Sequence, residues 1–353
     1  MTALKAQPEE AEAPAPGFAV PGGVVSALPA HRLGNEAFDS RFGADVVRDV
    51  CKMTGVEERY WVTGDQTASD LCCAAAERLL EQLAWSPRSV DAVIFVSQTG
   101  DQRLPATACV IHGRLGLGPH CQAFDVALGC SGYVYGLWLG STLLNAGCRR
   151  VLVLAGDTIS RIVAPDDRAT ALLFGDAGTA TALEHDAAAP ASHFVLGTDS
   201  AGANDLIVPG GGFRTPIPND RRPAELSPDH LFMDGSNVFA FTLRAVPGLV
   251  RSTLAHAGRS ADEVDFFVLH QANRFMLRHL AKKIGLPERV AINIERYGNT
   301  SSASIPLVLT TDLAERLRTG PARVMVVGFG VGFSWGAALI DLDPLGCAET
   351  LFL

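Results

Sequence analysis

Ala123-Phe-Asp-Val-Ala-Leu-Gly-Cys130-Ser-Gly132, continued by the small and apolar run to Gly147, is the stretch on which the fold turns. Ala123 to Leu128 reads as a strand, Gly129 as a tight connection, and Ser131 to Gly147 as a buried helix. A strand passing through one glycine into a buried helix is the unit from which α/β folds are built. The same alternation continues on both sides. Upstream, the pattern predicts a helix over 69–84, a strand over 92–97 and a helix over 106–115. Downstream, it predicts a strand over 150–157. A second series follows, with strands over 194–198, 265–270 and 323–329 and helices over 238–256, 275–284 and 303–318. Such alternation implies a mixed sheet covered by helices, and the two series have broadly parallel order.

This reading puts Cys130 at a helix N-terminus. Unpaired backbone N–H groups and the positive end of the macrodipole there favour thiolate over thiol, so a lowered pKa and a nucleophilic sulfur are expected. Two further segments deliver polar groups to strand ends, where α/β folds build sites. Val268-Leu-His270-Gln-Ala-Asn273 ends an apolar strand in His270, and Tyr297-Gly-Asn299-Thr-Ser-Ser-Ala-Ser304 sets Asn299 in a turn before a helix. Taken alone, His270 could be a strand-end histidine and Asn299 a turn residue.

Cys130, His270 and Asn299 together resemble the catalytic trio of the β-ketoacyl synthase III family, condensing enzymes of thiolase fold. The resemblance spans roughly residues 17 to 341 and rests on six ordered motifs: Thr54 to Arg59, Asp125 to Gly132, Phe174-Gly-Asp-Ala-Gly178, His270 to Asn273, Gly298 to Ser304, and Gly328 to Gly336. It implies a duplicated five-layer αβαβα thiolase fold. The expected division is a disordered tail over 1–16, an N-terminal half over 17–190 carrying the nucleophile, and a C-terminal half over 191–353 carrying His270 and Asn299. It also implies an oxyanion hole from the backbone N–H groups of Cys130 and Val331. At Val331 the family usually has glycine, and valine adds bulk and avoids positive φ. The resemblance assigns Asp176 to a structural turn.

Substrate contacts carried over from the resemblance are Arg168 at a tunnel mouth, Gly235 and Ser236 in a pantetheine-lining turn, and Leu104 reaching the acyl pocket of a partner in a homodimer. Primary-metabolism relatives place a Trp and an Arg just ahead of the residue matching Thr54 to grip coenzyme A. Here Asp49-Val-Cys-Lys-Met53 offers only Lys52. Arg274, Arg278 and Lys282 recur at helical spacing and form one cationic stripe, suited to an acyl carrier protein or to phosphates. The Gly/Pro-rich segment from Pro209 to Pro228, with Arg214, Arg221 and Arg222, reads as a loop over the entrance.

Composition narrows the class. The chain has 353 residues, 48% hydrophobic and 19% charged, enough for two domain-sized halves. A net charge of −9 argues against a nucleic-acid-binding surface. No run of about 18 apolar residues suggests a membrane span, and the N-terminus lacks signal-peptide features, so a cytoplasmic location is expected. Eight scattered cysteines include no CxxC pair and no metal-ligand spacing, so no disulfide framework, metal or other cofactor is expected, and Cys72-Cys73 reads as packing. Gly328-Phe-Gly-Val-Gly332 resembles part of a dinucleotide fingerprint but leads into a strand-like run rather than the helix N-terminus that a phosphate needs. Three functions remain: decarboxylative condensation of an acyl thioester with a malonyl thioester in a specialised fatty-acid or polyketide-type pathway, acyl transfer to a hydroxyl or amine, and a non-catalytic partner subunit.

Overall fold

The computed structural model describes residues 19–214 and 220–353. The tail expected over 1–16 lies outside them, as do residues 215–219 of the Pro209–Pro228 segment.

Two sheets form the frame. The first has six strands in the order Cys347–Phe352, Ala19–Leu28, Ala177–His185, Arg150–Asp157, Ala92–Val96, Gln122–Val126; the second has four in the order His193–Thr198, Ser334–Leu342, Ala322–Gly330, Phe266–Leu269. Counting from Ala19–Leu28 in the first sheet and from His193–Thr198 in the second, the first strand runs antiparallel to its neighbour, that neighbour antiparallel to the next, and the next parallel to its own neighbour. Equal order and equal sense in both sheets make the fold a duplication, which residue-level comparison of the halves does not reveal. The expected division at 190/191 needs one correction. The last strand, Cys347–Phe352, leaves the C-terminal half and pairs parallel with Ala19–Leu28 in the first sheet.

Five layers result, as the resemblance implied. Helix Ala68–Gln82 covers the outer face of the first sheet, helices Gly132–Asn145 and Ser304–Thr310 lie between the sheets, and helices Gly235–His256 and Arg274–Ile284 cover the second. Each interface has its own apolar cluster: Leu71, Leu79 and Phe95 outside the first sheet; Val96, Leu137, Val153 and Val326 between the sheets; Phe241, Leu249, Leu277 and Met325 outside the second. Because both faces of each sheet are covered, strand Ala92–Val96 is buried along its whole length and is apolar throughout rather than alternating. The central helix approaches its strands closely through a stripe of Gly132, Gly136 and Gly140. A Cβ on Gly136 would stand 2.8 Å from Val153 Cγ1 and 3.0 Å from Val96 Cγ2.

Two expectations are corrected by local chemistry. The helix read over 303–318 is interrupted, with Ser304–Thr310 and Ala314–Thr319 as separate pieces. The Thr311 hydroxyl bonds back to the Leu307 carbonyl at 2.6 Å and Thr310 reaches Ser26 at 2.7 Å, competing with the helical ladder. Helix Gly235–His256 is long and apolar enough to span a membrane by length and composition, although no such run was read from the sequence. Its apolar side chains Phe241, Val246, Leu249 and Val250 are buried in the cluster over the second sheet, which accounts for its composition.

Candidate active site

Cys130 follows strand Gln122–Val126 and precedes Gly132, the first residue of the central helix. The sulfur is wedged against the Gly-rich loop after strand Ala322–Gly330, where a Cβ on Gly330 would lie 2.9 Å from Cys130 Sγ and 2.6 Å from its Cβ. Only glycine permits that approach. The loop is latched to the nucleophile's turn by Ser131 Oγ, 2.7 Å from Ser334 Oγ, and Ser334 Oγ donates in turn to the Val331 carbonyl at 2.7 Å. With the loop so held, the backbone N–H groups of Val331 and Cys130, the pair the resemblance assigns to an oxyanion hole, lie close enough to the sulfur to favour negative charge on it. Positive φ falls on Gly332, at 136°, so Val331 keeps an ordinary backbone and still presents its N–H.

His270 stands at the end of strand Phe266–Leu269, and its N–H donates to the Val327 carbonyl at 2.8 Å. The ring meets Phe329 edge-on at 5.5 Å between centroids, and Nδ1 is 2.7 Å from Ser304 Oγ. Ser304 Oγ accepts the Gln271 N–H at 3.4 Å, which frees its own proton for Nδ1 and leaves Nε2 as the protonated nitrogen. Burial pulls the His270 pKa down to about 3, so the ring is neutral at physiological pH.

Asn299 occupies the turn after the short helix Ile294–Tyr297. Its N–H donates to the Leu173 carbonyl at 2.9 Å and its carbonyl accepts the Gly175 N–H at 3.1 Å, docking the turn onto Phe174-Gly175. Its Oδ1 accepts the Ser301 N–H at 2.9 Å, which orients the carboxamide and leaves Nδ2 as the donor for a ligand. Asp176, next to that docking point, accepts from Val62 N at 2.9 Å and Ser160 N at 3.0 Å and ties three segments together. It acts as the structural turn that the resemblance implied.

The three side chains come from three separate segments and converge on one residue. The Ser301 N–H donates to Asn299 Oδ1 at 2.9 Å, and Ser301 also lies close enough to the Cys130 sulfur and the His270 ring to act on both electrostatically. All three are buried, with 7, 2 and 5% of their surface exposed.

The expected thiolate is overturned. Burial and the nearby Asp157 carboxylate push the Cys130 thiol up to about 12, and the hydrogen bonds from Ser301, Val331 and its own N–H offset only part of that rise. The roughly half-charge of a helix end is too small to outweigh full desolvation and a fixed anion. The resting pair is therefore thiol and neutral imidazole. Because the raised pKa keeps the sulfur protonated, inactivation of the free protein by iodoacetamide should accelerate about tenfold per pH unit from roughly pH 7 to 10. A plateau reached below pH 8 in that rate profile would contradict a raised thiol pKa.

The other sequence candidates separate. Arg168 lines a cleft of about 730 Å³ with Lys52, Met53, Thr54, Met233 and Asn273. The same cleft exposes Leu173, whose carbonyl holds Asn299, and Asn273 lies three residues beyond His270, so it opens on the trio's side of the molecule. Lys52 is paired with Asp49 at 3.5 Å, and Met53, not an aromatic residue, is exposed at this mouth. Gly235 and Ser236 are exposed at the start of helix Gly235–His256, just after Met233, and Asp234 caps that helix by accepting the Asn237 N–H at 3.0 Å. Arg221 pairs with Asp205 and Asp234, anchoring the Pro209–Pro228 segment there. Arg274 does not share the Arg168 cleft. It packs over Gly55 and lines a neighbouring cleft with Glu36, Asp39 and Glu57, while Arg278 and Lys282 lie exposed farther along the helix. Leu104 is exposed on the surface, 79% accessible.

Sequence reasoning missed Ser131, Ser301, Ser304, Ser334 and Asp157. A hint was present in Thr300-Ser-Ser-Ala-Ser304, which carries more hydroxyls than capping one helix requires.

Comparison with known proteins gives matches to two family models. Residues 124–200 match 3-oxoacyl-[acyl-carrier-protein] synthase III and residues 254–342 match its C-terminal region. A β-ketoacyl-[acyl-carrier-protein] synthase III of Streptomyces coelicolor is 40% identical over 301 residues, covering 83% of this chain and 89% of the relative. Among solved structures, a 3-oxoacyl-(acyl-carrier protein) synthase from Burkholderia xenovorans superposes with a TM-score of 0.94 at 51% identity, over 96% of this chain and 98% of that one. A priming β-ketosynthase of a polyketide biosynthetic pathway superposes at 0.82 with 27% identity, covering 94% and 99% of the two chains.

Proposed function

Since the chain belongs to the 3-oxoacyl-[acyl-carrier-protein] synthase III family and is a condensing acyltransferase of thiolase fold, we propose that Cys130 takes an acyl group from a thioester and passes it to the carbanion of a malonyl thioester. What supports this reading is the meeting of Cys130, His270 and Asn299, three buried side chains from separate segments, around Ser301.

In the first half-reaction the Cys130 sulfur attacks the acyl carbonyl. Its proton leaves with the departing carrier sulfur, while the Val331 and Cys130 N–H groups hold the tetrahedral oxyanion. The products are acyl-Cys130 and a free carrier thiol. In the second half the carbon–carbon bond to the malonyl carboxylate breaks and carbon dioxide leaves. The electron pair becomes an enolate whose oxygen accepts from His270 Nε2 and Asn299 Nδ2. Its carbon attacks acyl-Cys130, the sulfur departs and is reprotonated, and a 3-oxoacyl thioester forms. Decarboxylation itself supplies the electrons, so this scheme calls on no redox cofactor or metal.

Arg168, Lys52 and Asn273 are assigned to the carrier's phosphopantetheine end in the 730 Å³ cleft. Arg278 and Lys282 are assigned to an acyl carrier protein, a partner named in the relatives' activities. A mouth lined by Met53 in place of an aromatic clamp favours a carrier-bound donor in a specialised fatty-acid or polyketide-type pathway. Strand Gln122–Val126 is an open edge of the first sheet, and with the exposed Leu104 nearby it supports a homodimer formed across that edge, seen as sedimentation at twice the chain mass.

Incubation with acyl thioesters and malonyl thioesters, on coenzyme A and on carrier protein, should give acyl-Cys130 by mass spectrometry, carbon dioxide and a 3-oxoacyl product. Acyl transfer to a hydroxyl or amine with no carbon dioxide released would replace this reading with the non-decarboxylative one.

A further inference from the structure

Arg59, the last residue of the Thr54–Arg59 motif, is completely buried. It extends from the short strand Glu58–Tyr60. Its Nη2 donates to Asn35 Oδ1 at 2.6 Å and to the Leu172 carbonyl at 3.2 Å, and its guanidinium lies 4.9 Å from the centre of the Phe38 ring. Nε and Nη1 have no hydrogen-bond partner among the described residues. Burial pulls the pKa down to about 10, which leaves the side chain charged at neutral pH. A buried cation whose hydrogen-bond partners are neutral is costly to keep, and packing alone does not account for it.

What Arg59 grips is the seat of Asn299. Residues 172–176 run between two segments that hold them in alternation. On one side Arg59 Nη2 donates to the Leu172 carbonyl, Trp61 Nε1 donates to the Phe174 carbonyl at 2.8 Å, and the Tyr60 carbonyl accepts the Asp176 N–H at 2.8 Å. On the other side the Leu173 carbonyl accepts the Asn299 N–H at 2.9 Å, and the Gly175 N–H donates to the Asn299 carbonyl at 3.1 Å. Groups of 172, 174 and 176 face Arg59 and Trp61, while those of 173 and 175 face the catalytic turn, as in a strand with a neighbour on each edge. Gly298 permits the approach. At its φ of 67° a Cβ would stand 2.8 Å from the Leu173 carbonyl oxygen and 3.4 Å from Arg59 Cβ. Arg59 and Trp61 also share Phe38, whose ring meets Trp61 edge-on at 5.5 Å, so the two donors are braced together.

Resting on the condensing reading above, we propose that Arg59 and Trp61 are positioning residues for Asn299: by fixing the Leu172 and Phe174 carbonyls they hold residues 172–175 as the strip on which the Asn299 turn is seated, and so aim its carboxamide at the enolate oxygen. Neither residue acts on Cys130. The decarboxylating half of the reaction depends on them and the acylating half does not.

Trp61→Phe keeps a ring against Phe38 and deletes the Nε1–H. Arg59→Met keeps the length and deletes the donors; Arg59→Lys restores a charged donor and covers the case that methionine does not fold. Hydrogen exchange at the Asn299 and Gly175 amides should quicken about threefold or more in each folded variant, while the peptide carrying Cys130 exchanges as before. Malonyl thioester decarboxylation should lose about three- to tenfold in kcat in Trp61→Phe and about tenfold or more in Arg59→Met, with Arg59→Lys between methionine and the unaltered protein. KM for the malonyl thioester, acyl-Cys130 formation and iodoacetamide alkylation should each stay within about threefold. Unchanged exchange at Asn299, or unchanged decarboxylation, in folded Trp61→Phe and Arg59→Lys overturns the proposal. So does a parallel fall of acylation and decarboxylation, which would make both residues general scaffold. Exchange needs no substrate, so an unaltered protein that releases no carbon dioxide would sink the condensing reading while exchange still decides whether the strip seats Asn299.

Discussion

Cys130→Ala should abolish condensation, by about 10⁴-fold or more, and leave a protein that still releases carbon dioxide from a malonyl thioester. The size follows from losing the atom that forms the covalent intermediate: without the sulfur there is no acyl-enzyme for the carbanion to attack. The selectivity follows from the division of labour. His270 is held by Ser304 and Val327, and Asn299 by Ser301 and Leu173, and none of these contacts uses the sulfur. Radiolabelled carbon dioxide release and 3-oxoacyl product, measured side by side, separate the two half-reactions. A Cys130→Ala protein that loses both activities while folded would mean that the thiol takes part in decarboxylation, contrary to the geometry.

The complementary loss is expected from His270→Ala and Asn299→Ala. Each removes one donor to the enolate oxygen in a buried site, a deletion that typically costs about 10²- to 10³-fold in rate. The double variant should lose less than the product of the singles, because both donors stabilise the same oxygen. Both single variants should still form acyl-Cys130, because neither removes the thiol. The sign of the pH dependence is fixed by burial. With the folded His270 pKa pulled down to about 3, the ring is already neutral across about pH 5 to 8, so the decarboxylation rate should show no histidine inflection in that range. A rate that falls with an apparent pKa between 6 and 7 would mean a solvated imidazole and a more open site than the one described.

The trio was legible in the sequence because each member sits in a short local pattern: Cys130 between a strand and a glycine-studded helix, His270 at the end of an apolar strand, Asn299 in a Gly/Ser turn. The Gly-rich loop after Phe329 was readable for the same reason, as a glycine run between two strands that excludes a phosphate loop. Fold class followed from the alternation of periods, and the family from six motifs in order. Contacts between segments distant in the chain left no such mark. The return of Cys347–Phe352 to the first sheet, the placing of Arg274 over Gly55 away from the Arg168 cleft, and the meeting of Asp157 with Ser302 join residues up to hundreds of positions apart.

What the amino-acid sequence by itself determined was therefore the set of elements and the candidates for the reacting groups, because hydrophobic period, turn chemistry and motif order are properties of neighbouring residues. What only the tertiary structure decided was how those groups behave. Cys130 reads as a thiolate at a helix end, yet folding buries it beside Asp157 and makes it a thiol, and the same burial keeps His270 neutral. Desolvation and fixed charge depend on every chain segment that closes over a site, and those segments are brought together only by the duplicated sheets.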